Sequence, residues 1–466
     1  MLHRNRKGTP LSQLTHTLEP TSLSPASAAP ETPSSPLPAP AHWSPATRIA
    51  FRLAFCYFML YALCCGNATI WEVIPVVGGH ISDWLAWPFR HGSLWLAQHL
   101  FHLTGVGATL HGGGSGDRAA DWIAMGIMLV VALLATLLWS LLDRRRTAYP
   151  TLFCWFRFTI RLTLGVAMFN YGLAKVFPLQ MAPPSLAVLN EPLGSTSPMT
   201  MLWTLIAINP LYEMICGAAE VAGGLLILFR RTALLGALLS AFVLSNVVLY
   251  NFFFDVPVKI YATHLLLMCL VVIAPDALSL FRYFWQHKPT APTGVWVPPA
   301  RRRSFRIATA LIEAFFLFMV AIVAPVTGYW PAYKHMRASL QHPSPFSGQW
   351  HLTAATTPYL TGDGLPITDI FLEPSGRVML RATDQALWRA GAQIDDKKHT
   401  LMLASEVTGP VTYAIAQPDP SHLTLTPTGK DAAKNGILEL TRVPLPTHYP
   451  LLDRGFHLVN EWGLER

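Results

Sequence analysis

Between about Phe153 and Trp285, four long apolar segments carry polar residues that hydrocarbon does not hold cheaply. The first ends in Asn170-Tyr171-Gly172-Leu173-Ala174-Lys175, and the second carries Glu213 and Glu220. The third carries Asn246 and Asn251 and leads into Asp255-Val256-Pro257-Val258-Lys259; the fourth carries His264. An ionisable group inside a bilayer costs roughly 2.5–3.5 kcal/mol on insertion scales, so each is a candidate functional residue by default. The stretch therefore reads as an all-α polytopic membrane bundle with one polar cluster inside it.

Composition supports that class. The chain has 466 residues, 52% hydrophobic and only 13% charged, with a mean hydropathy of +0.36. That balance belongs to multi-span membrane proteins. The net charge of +8 invites a nucleic-acid reading. The arginines argue against it, because Arg144-Arg145-Arg146, Arg230-Arg231 and Arg301-Arg302-Arg303 sit in short clusters beside apolar segments. That is positive-inside patterning, not a binding face. Six cysteines (Cys56, Cys64, Cys65, Cys154, Cys216, Cys269) all lie in apolar segments and form no Cys-x-x-Cys, so no zinc site or dithiol motif is indicated. Cys64-Cys65 reads either as buried free thiols or as a redox pair, the latter strained by adjacency. His80, His91, His99, His102 and His111 lack an accompanying carboxylate pattern, so no metal is expected.

Taken in order, residues 1–45 are rich in Pro, Ser, Ala and Thr with a basic start, and read as a disordered cytoplasmic tail. Residues 46–146 hold two spans, about 49–65 and 119–142, around an outer loop whose 81–103 stretch is amphipathic and aromatic and is expected to lie along the membrane interface. Residues 147–288 hold four spans, about 151–176, 210–229, 233–254 and 258–281; residues 289–330 hold a linker and a seventh span. Every arginine cluster falls on one side of this path. The N-terminus is expected inside, and residues 331–466 outside, the plasma (inner) membrane. From about Pro345 the chain changes character: alternation in Gly376-Arg377-Val378-Met379-Leu380-Arg381, Leu401-Met402-Leu403 and His422-Leu423-Thr424-Leu425 predicts a small antiparallel β domain, barrel or sandwich. Gly348-Gln349-Trp350 resembles the Gly-x-Trp of lipocalin-type barrels.

Glu213 and Glu220 are two helical turns apart and share a face. Glu220 lies about ten residues into its span, so about 15 Å deep, near the bilayer midplane. Glu220 is either neutral, bonding a neighbouring helix, or paired in a functional site. Lys175 either snorkels or joins that site. Counted from the outer edge, Lys175 is level with Glu213, which is therefore the expected partner, rather than Glu220. Asn246 and Asn251 are interhelical hydrogen bonders or ligand contacts. Asp255 and Lys259 are an exposed turn pair or part of the same layer, and His264 lies about 8 Å below the edge. Glu313, in the seventh span, is an outlying candidate. The expected catalytic set is Lys175, Glu213, Glu220 and His264; the expected binding set is Tyr171, Asn246, Asn251, Asp255 and Lys259.

The four central spans resemble the DoxX family of four-helix membrane proteins. The matching stretches are Tyr171-Gly172-Leu173-Ala174-Lys175, the run from Glu220 to Arg231, Gly236-Ala237-Leu238, Asn251 to Lys259, and His264-Leu265-Leu266-Leu267. The likeness covers under a third of the chain, which adds two leading spans, a seventh span and the β tail. It implies a four-helix core and, from family members linked to thiosulfate oxidation, quinone as a ligand. Wider relatives include MauE-type assembly proteins and the membrane portion of vitamin K-dependent carboxylases. Two functions follow. One is a quinone-linked redox enzyme or a subunit of one, with Lys, His and Glu moving protons. The other is a non-catalytic anchor or assembly partner of an extracytoplasmic complex, contacted through the β domain. A transporter ranks last, since no repeated halves are visible.

Overall fold

A computed structural model describes residues 42–65, 70–109, 116–290, 303–361, 364–405, 409–429 and 435–453. The expected tail up to residue 41, His111, Arg301, Arg302, Phe456 and Trp462 lie outside them.

Helix starts follow from cap-and-proline pairs. Ser44 accepts the Thr47 N–H ahead of Pro45 and opens α1 (Pro45–Cys64). Helix α2 (Gly78–His99) lies in the expected outer loop, and α3 (Ala119–Leu142) begins where Asp121 accepts the Arg118 N–H. Then come α4 (Pro150–Val176) and the single turn α5 (Leu186–Leu189). Ser197-Pro198 opens α6 (Pro198–Ala207), and Asn209-Pro210 opens α7 (Pro210–Leu228). A side-chain oxygen accepts a first-turn N–H, and proline at the next position loses nothing because its N–H would be unpaired there. Helices α8 (Ala233–Phe253), α9 (Lys259–Ile273) and α10 (Ala277–Phe284) follow, the last two joined by a 3-10 turn. Helix α11 (Arg303–Phe318) runs through two π-helical turns, Met319–Val323 and Pro325–Tyr329, into α12 (Trp330–Gln341).

Among the described residues, seven helices are long and apolar enough to cross a membrane: α1, α3, α4, α7, α8, α9 with α10, and the continuous helix Arg303–Gln341. Helix α4 is the axis, with most of its length buried against α7, α9 and α1. Between α4 and α7 the contact is made by glycine. A Cβ on Gly172 would lie 2.8 Å from the Gly217 carbonyl oxygen, and one on Gly224 would lie 3.1 Å from that of Gly165. Small residues permit backbones to touch, which is how helices associate where burial from water supplies no drive. Helix α2 reverses soluble amphipathicity. Ser82, Ala86, Ser93 and Ala97 face the bundle, while Trp84, Trp87 and Trp95 face outward.

The arginines do more than mark a side. Arg161 donates to the carbonyls of Ile227 (2.9 Å) and Leu228 (2.6 Å), Arg157 to Val272 (3.0 Å) and Arg52 to Asp143 (2.8 Å). They cap the last carbonyls of α7, α9 and α3, which have no partner within the helix. Glu313 belongs to this end: it pairs with Arg230 at 3.0 Å and faces Arg161 at 3.7 Å, fastening α11 to the bundle.

The β domain begins later than residue 331. The seventh helix continues to Gln341, because the π turns take up Pro325 and Pro331 starts α12, where its missing N–H costs little. Eight antiparallel strands then close a barrel: β1 (Gly348–Ala355), β2 (Ile367–Leu372), β3 (Val378–Ala382), β4 (Leu387–Asp395), β5 (Thr400–Ser405), β6 (Gly409–Asp419), β7 (His422–Thr428) and β8 (Leu438–Val443). Alternation fills the interior with Trp350, Leu401, Leu403, Tyr413, Leu425 and Leu440, as expected of a barrel this narrow. Trp350 donates its indole N–H to the Phe346 carbonyl, and the Arg442 guanidinium lies 4.8 Å over its ring. The barrel docks on the loop after α4. Glu373 accepts the N–H groups of Leu186 (2.8 Å) and Ala187 (3.0 Å), and Arg381 donates to the Asn190 carbonyl (2.8 Å).

Candidate functional site

Lys175 and Glu220 form a buried ion pair between α4 and α7. The ammonium reaches both carboxylate oxygens, at 2.8 and 2.7 Å, and lies 5.6 Å from the Tyr171 ring centre. This corrects the expectation that Glu213 is the nearer partner. The Lys175 Cβ lies beside Gly217, about 4.5 Å along the helix from Glu220 and about 6 Å from Glu213. Helical side chains lean toward their own N-terminus. Helices α4 and α7 run in opposite directions, so Lys175 leans deeper into the bundle and Glu220 leans up to meet it.

Glu213 leans away from Lys175. Its Oε1 accepts the Met181 N–H at 3.0 Å, tying α7 to the loop that leaves α4. Below that loop lies a cavity of about 280 Å³ between α4, α6, α7, α8 and α9. Tyr171, Lys175, Glu213, Glu220, Asn246 and Asn251 all line it, so six of the nine expected residues come together. The rest of the lining is largely apolar. Asn251 is buried and gives its amide N–H to the Val258 carbonyl, holding the turn between α8 and α9. Tyr212, Ile215 and Phe242, which also line the cavity, are 51%, 60% and 79% exposed, so it opens sideways between α7 and α8.

Three expected residues lie elsewhere. His264 faces α1: its Nδ1 donates to the Ile260 carbonyl, its Nε2 takes the Tyr57 hydroxyl at 2.6 Å, and its ring stacks on Tyr61 at 4.0 Å. Tyr261, one turn earlier on α9, takes the cavity position in its place and meets Tyr171 at 5.5 Å. Asp255 and Lys259 pair with each other at 2.7 Å at the surface, with the Asp255 side chain 82% exposed. They border a separate polar groove with Asp117, whose carboxylate accepts the first N–H groups of α9. Depth along the chain does not separate these three from the cavity residues; rotation about each helix axis decides what they face.

Sequence reasoning missed Gln180, Met181, Trp203 and Ile206 in the cavity wall. Ser197-Pro198 was the available signal for α6, which carries the last two. Among the described residues no group of three or more His, Cys, Asp or Glu could hold a metal ion.

Fold and site together define a class: a bundle whose seven long apolar helices suit a bilayer, with a lateral cavity and an appended β-barrel. No family model matches the chain, and no solved structure matches it. It is 33% identical over 128 residues to "Uncharacterized protein YwoB" of Bacillus subtilis (strain 168), covering 28% of this chain and 81% of that protein. The chain belongs to the same family as YwoB.

Proposed function

We propose that this chain is a DoxX-like component of the plasma (inner) membrane whose lateral cavity binds the ring of an isoprenoid quinone in a redox process. The N-terminus is cytoplasmic and the barrel extracytoplasmic. The observation that carries the reading is the cavity: largely apolar, open sideways between α7 and α8, with two carboxyls and an ammonium gathered on one wall. With the helices in a bilayer that opening faces lipid, where quinones reside. Apolar walls with a few convergent polar groups are what a ligand site requires. A bound quinone supplies two-electron, two-proton chemistry. The chain's part is to hold the ring against Tyr171 and Tyr261, exclude water, and present Lys175, Glu220 and Glu213 for proton exchange at the ring oxygens. His264 has no direct part in this.

The test is solvent extraction of the detergent-purified protein followed by mass spectrometry for quinones, with Ala219→Phe as the cavity-filling control. Wild type should retain quinone near one per chain, and the variant should lose most of it. Equal traces in both, with no uptake of added short-chain quinone, would leave the alternative, a non-catalytic anchor or assembly partner of an extracytoplasmic complex. For the orientation, reporters fused after residues 290 and 466 should read cytoplasmic and external respectively; an external signal at 290 would overturn the path.

A further inference from the structure

The cavity wall has two buried oxygen atoms with nothing to accept. Glu213 is fully buried, and its Oε2 has no hydrogen-bond partner; neither has Gln180 Oε1. Both residues line the same cavity. Several neighbouring donors are already used. Met181 N–H goes to Glu213 Oε1, and Gln180 N–H goes to the Ala174 carbonyl at 3.1 Å. Lys175 gives two N–H bonds to Glu220, and the Asn251 amide gives its N–H to Val258. A buried acceptor without a donor is costly, and its donor has to come from whatever fills the space.

We propose that the cavity selects the reduced, hydroxyl-bearing form of its ring ligand, with Glu213 Oε2 and Gln180 Oε1 accepting from the ligand's hydroxyl groups. This rests on the quinone reading above and adds the redox form. A quinone offers only carbonyl oxygens, which cannot satisfy the two acceptors and would leave both unpaired. A hydroquinone of the same shape offers two O–H donors. A site built to bond a hydroxyl rejects the analogue that lacks it far more strongly than an apolar pocket rejects an extra methylene, because its own polar atoms are left orphaned. Glu213 is the specificity-determining residue: it is fixed through Oε1 by the Met181 N–H, so Oε2 cannot turn away.

The experiment is equilibrium dialysis of the purified full chain under argon, with a decyl-substituted benzoquinone and separately with its hydroquinone. Wild type should bind the hydroquinone about tenfold more tightly or better. Glu213→Gln keeps the shape but replaces Oε2 by an N–H donor, so the preference should collapse or invert toward the quinone. Gln180→Met removes one acceptor and should lower the preference about threefold or more with the fold intact. Equal binding of both forms by wild type would overturn the proposal while leaving the quinone reading standing. So would a preference for the oxidised form, which would mean that Glu213 carries a proton into the site. A loss of both forms in equal measure in Glu213→Gln would make that residue merely structural, which also overturns it. Binding of neither form to wild type would instead remove the quinone reading itself.

Discussion

At the scale of single residues, the molecule turns on the direction in which side chains lean. Residue counting from a helix end placed Lys175 beside Glu213, whereas its Cβ lies beside Gly217, one residue nearer along the helix to Glu220. The side chains widen that difference, because α4 and α7 are antiparallel and each side chain points back along its own helix. The Lys175–Glu220 pair has both charges away from water, at 2.7 Å. Removing one member of such a pair is more harmful than removing both, since the survivor is a buried uncompensated charge; the single loss costs about 3–5 kcal/mol. Lys175→Met and Glu220→Leu should each lower the thermal midpoint of the purified protein by several degrees. The double variant should recover most of the loss. Equal, additive losses would mean the two groups do not depend on one another. Glu220→Gln is accordingly no longer the neutral probe it is for a lone protonated glutamate, because it strands the Lys175 charge.

At the scale of elements, what could be read from the chain was what repeats locally. The apolar runs located all seven long helices to within a few residues, except at the end of the last. The alternation at Val378–Ala382, Thr400–Ser405 and His422–Thr428 located strands. Closure of the barrel was not legible, because it depends on β1 pairing with β8, for example Leu352 with Leu440, across almost the whole domain. Nor was the rotation of α9, which turns Tyr261 into the cavity and His264 onto Tyr57 and Tyr61 of α1, since that contact joins helices about 200 residues apart in the chain. Helix α6 was legible and overlooked: ten residues are too few to span a bilayer, and only the Ser197-Pro198 cap announces them. The arginine clusters mark sidedness, but the capping of α3, α7 and α9 falls to the isolated Arg52, Arg161 and Arg157, and finding it requires knowing which helix ends lie together.

At the scale of the whole molecule, one loop joins the cavity to the barrel. Gln180 and Met181 belong to the cavity wall, and Leu186, Ala187 and Asn190 are held by Glu373 and Arg381 of the barrel. Burial pushes the Glu373 carboxyl above its ordinary range, opposed by the N–H bonds it accepts. A carboxyl whose pKa is raised in the docked state takes up a proton on docking. Its contribution is therefore complete below the ordinary glutamate value of about 4.3 and declines as pH rises through the raised one. Hydrogen exchange at Leu186 and Ala187, corrected for intrinsic rates, should show more protection at pH 5 than at pH 8. Glu373→Gln should flatten that dependence; an unchanged slope would assign it to another group. The same docking gives the 39-residue helix Arg303–Gln341 a second meaning. Tyr329 bonds the Asn170 carbonyl at the level of the cavity, so the twelve residues of α12 project past the bundle as a post. A helix is a screw, in which height and bearing cannot be set independently. One added residue in that post would lift the barrel by about 1.5 Å and swing it by about 100°, carrying Glu373 off its loop, while two whole turns would nearly restore its bearing at a new height.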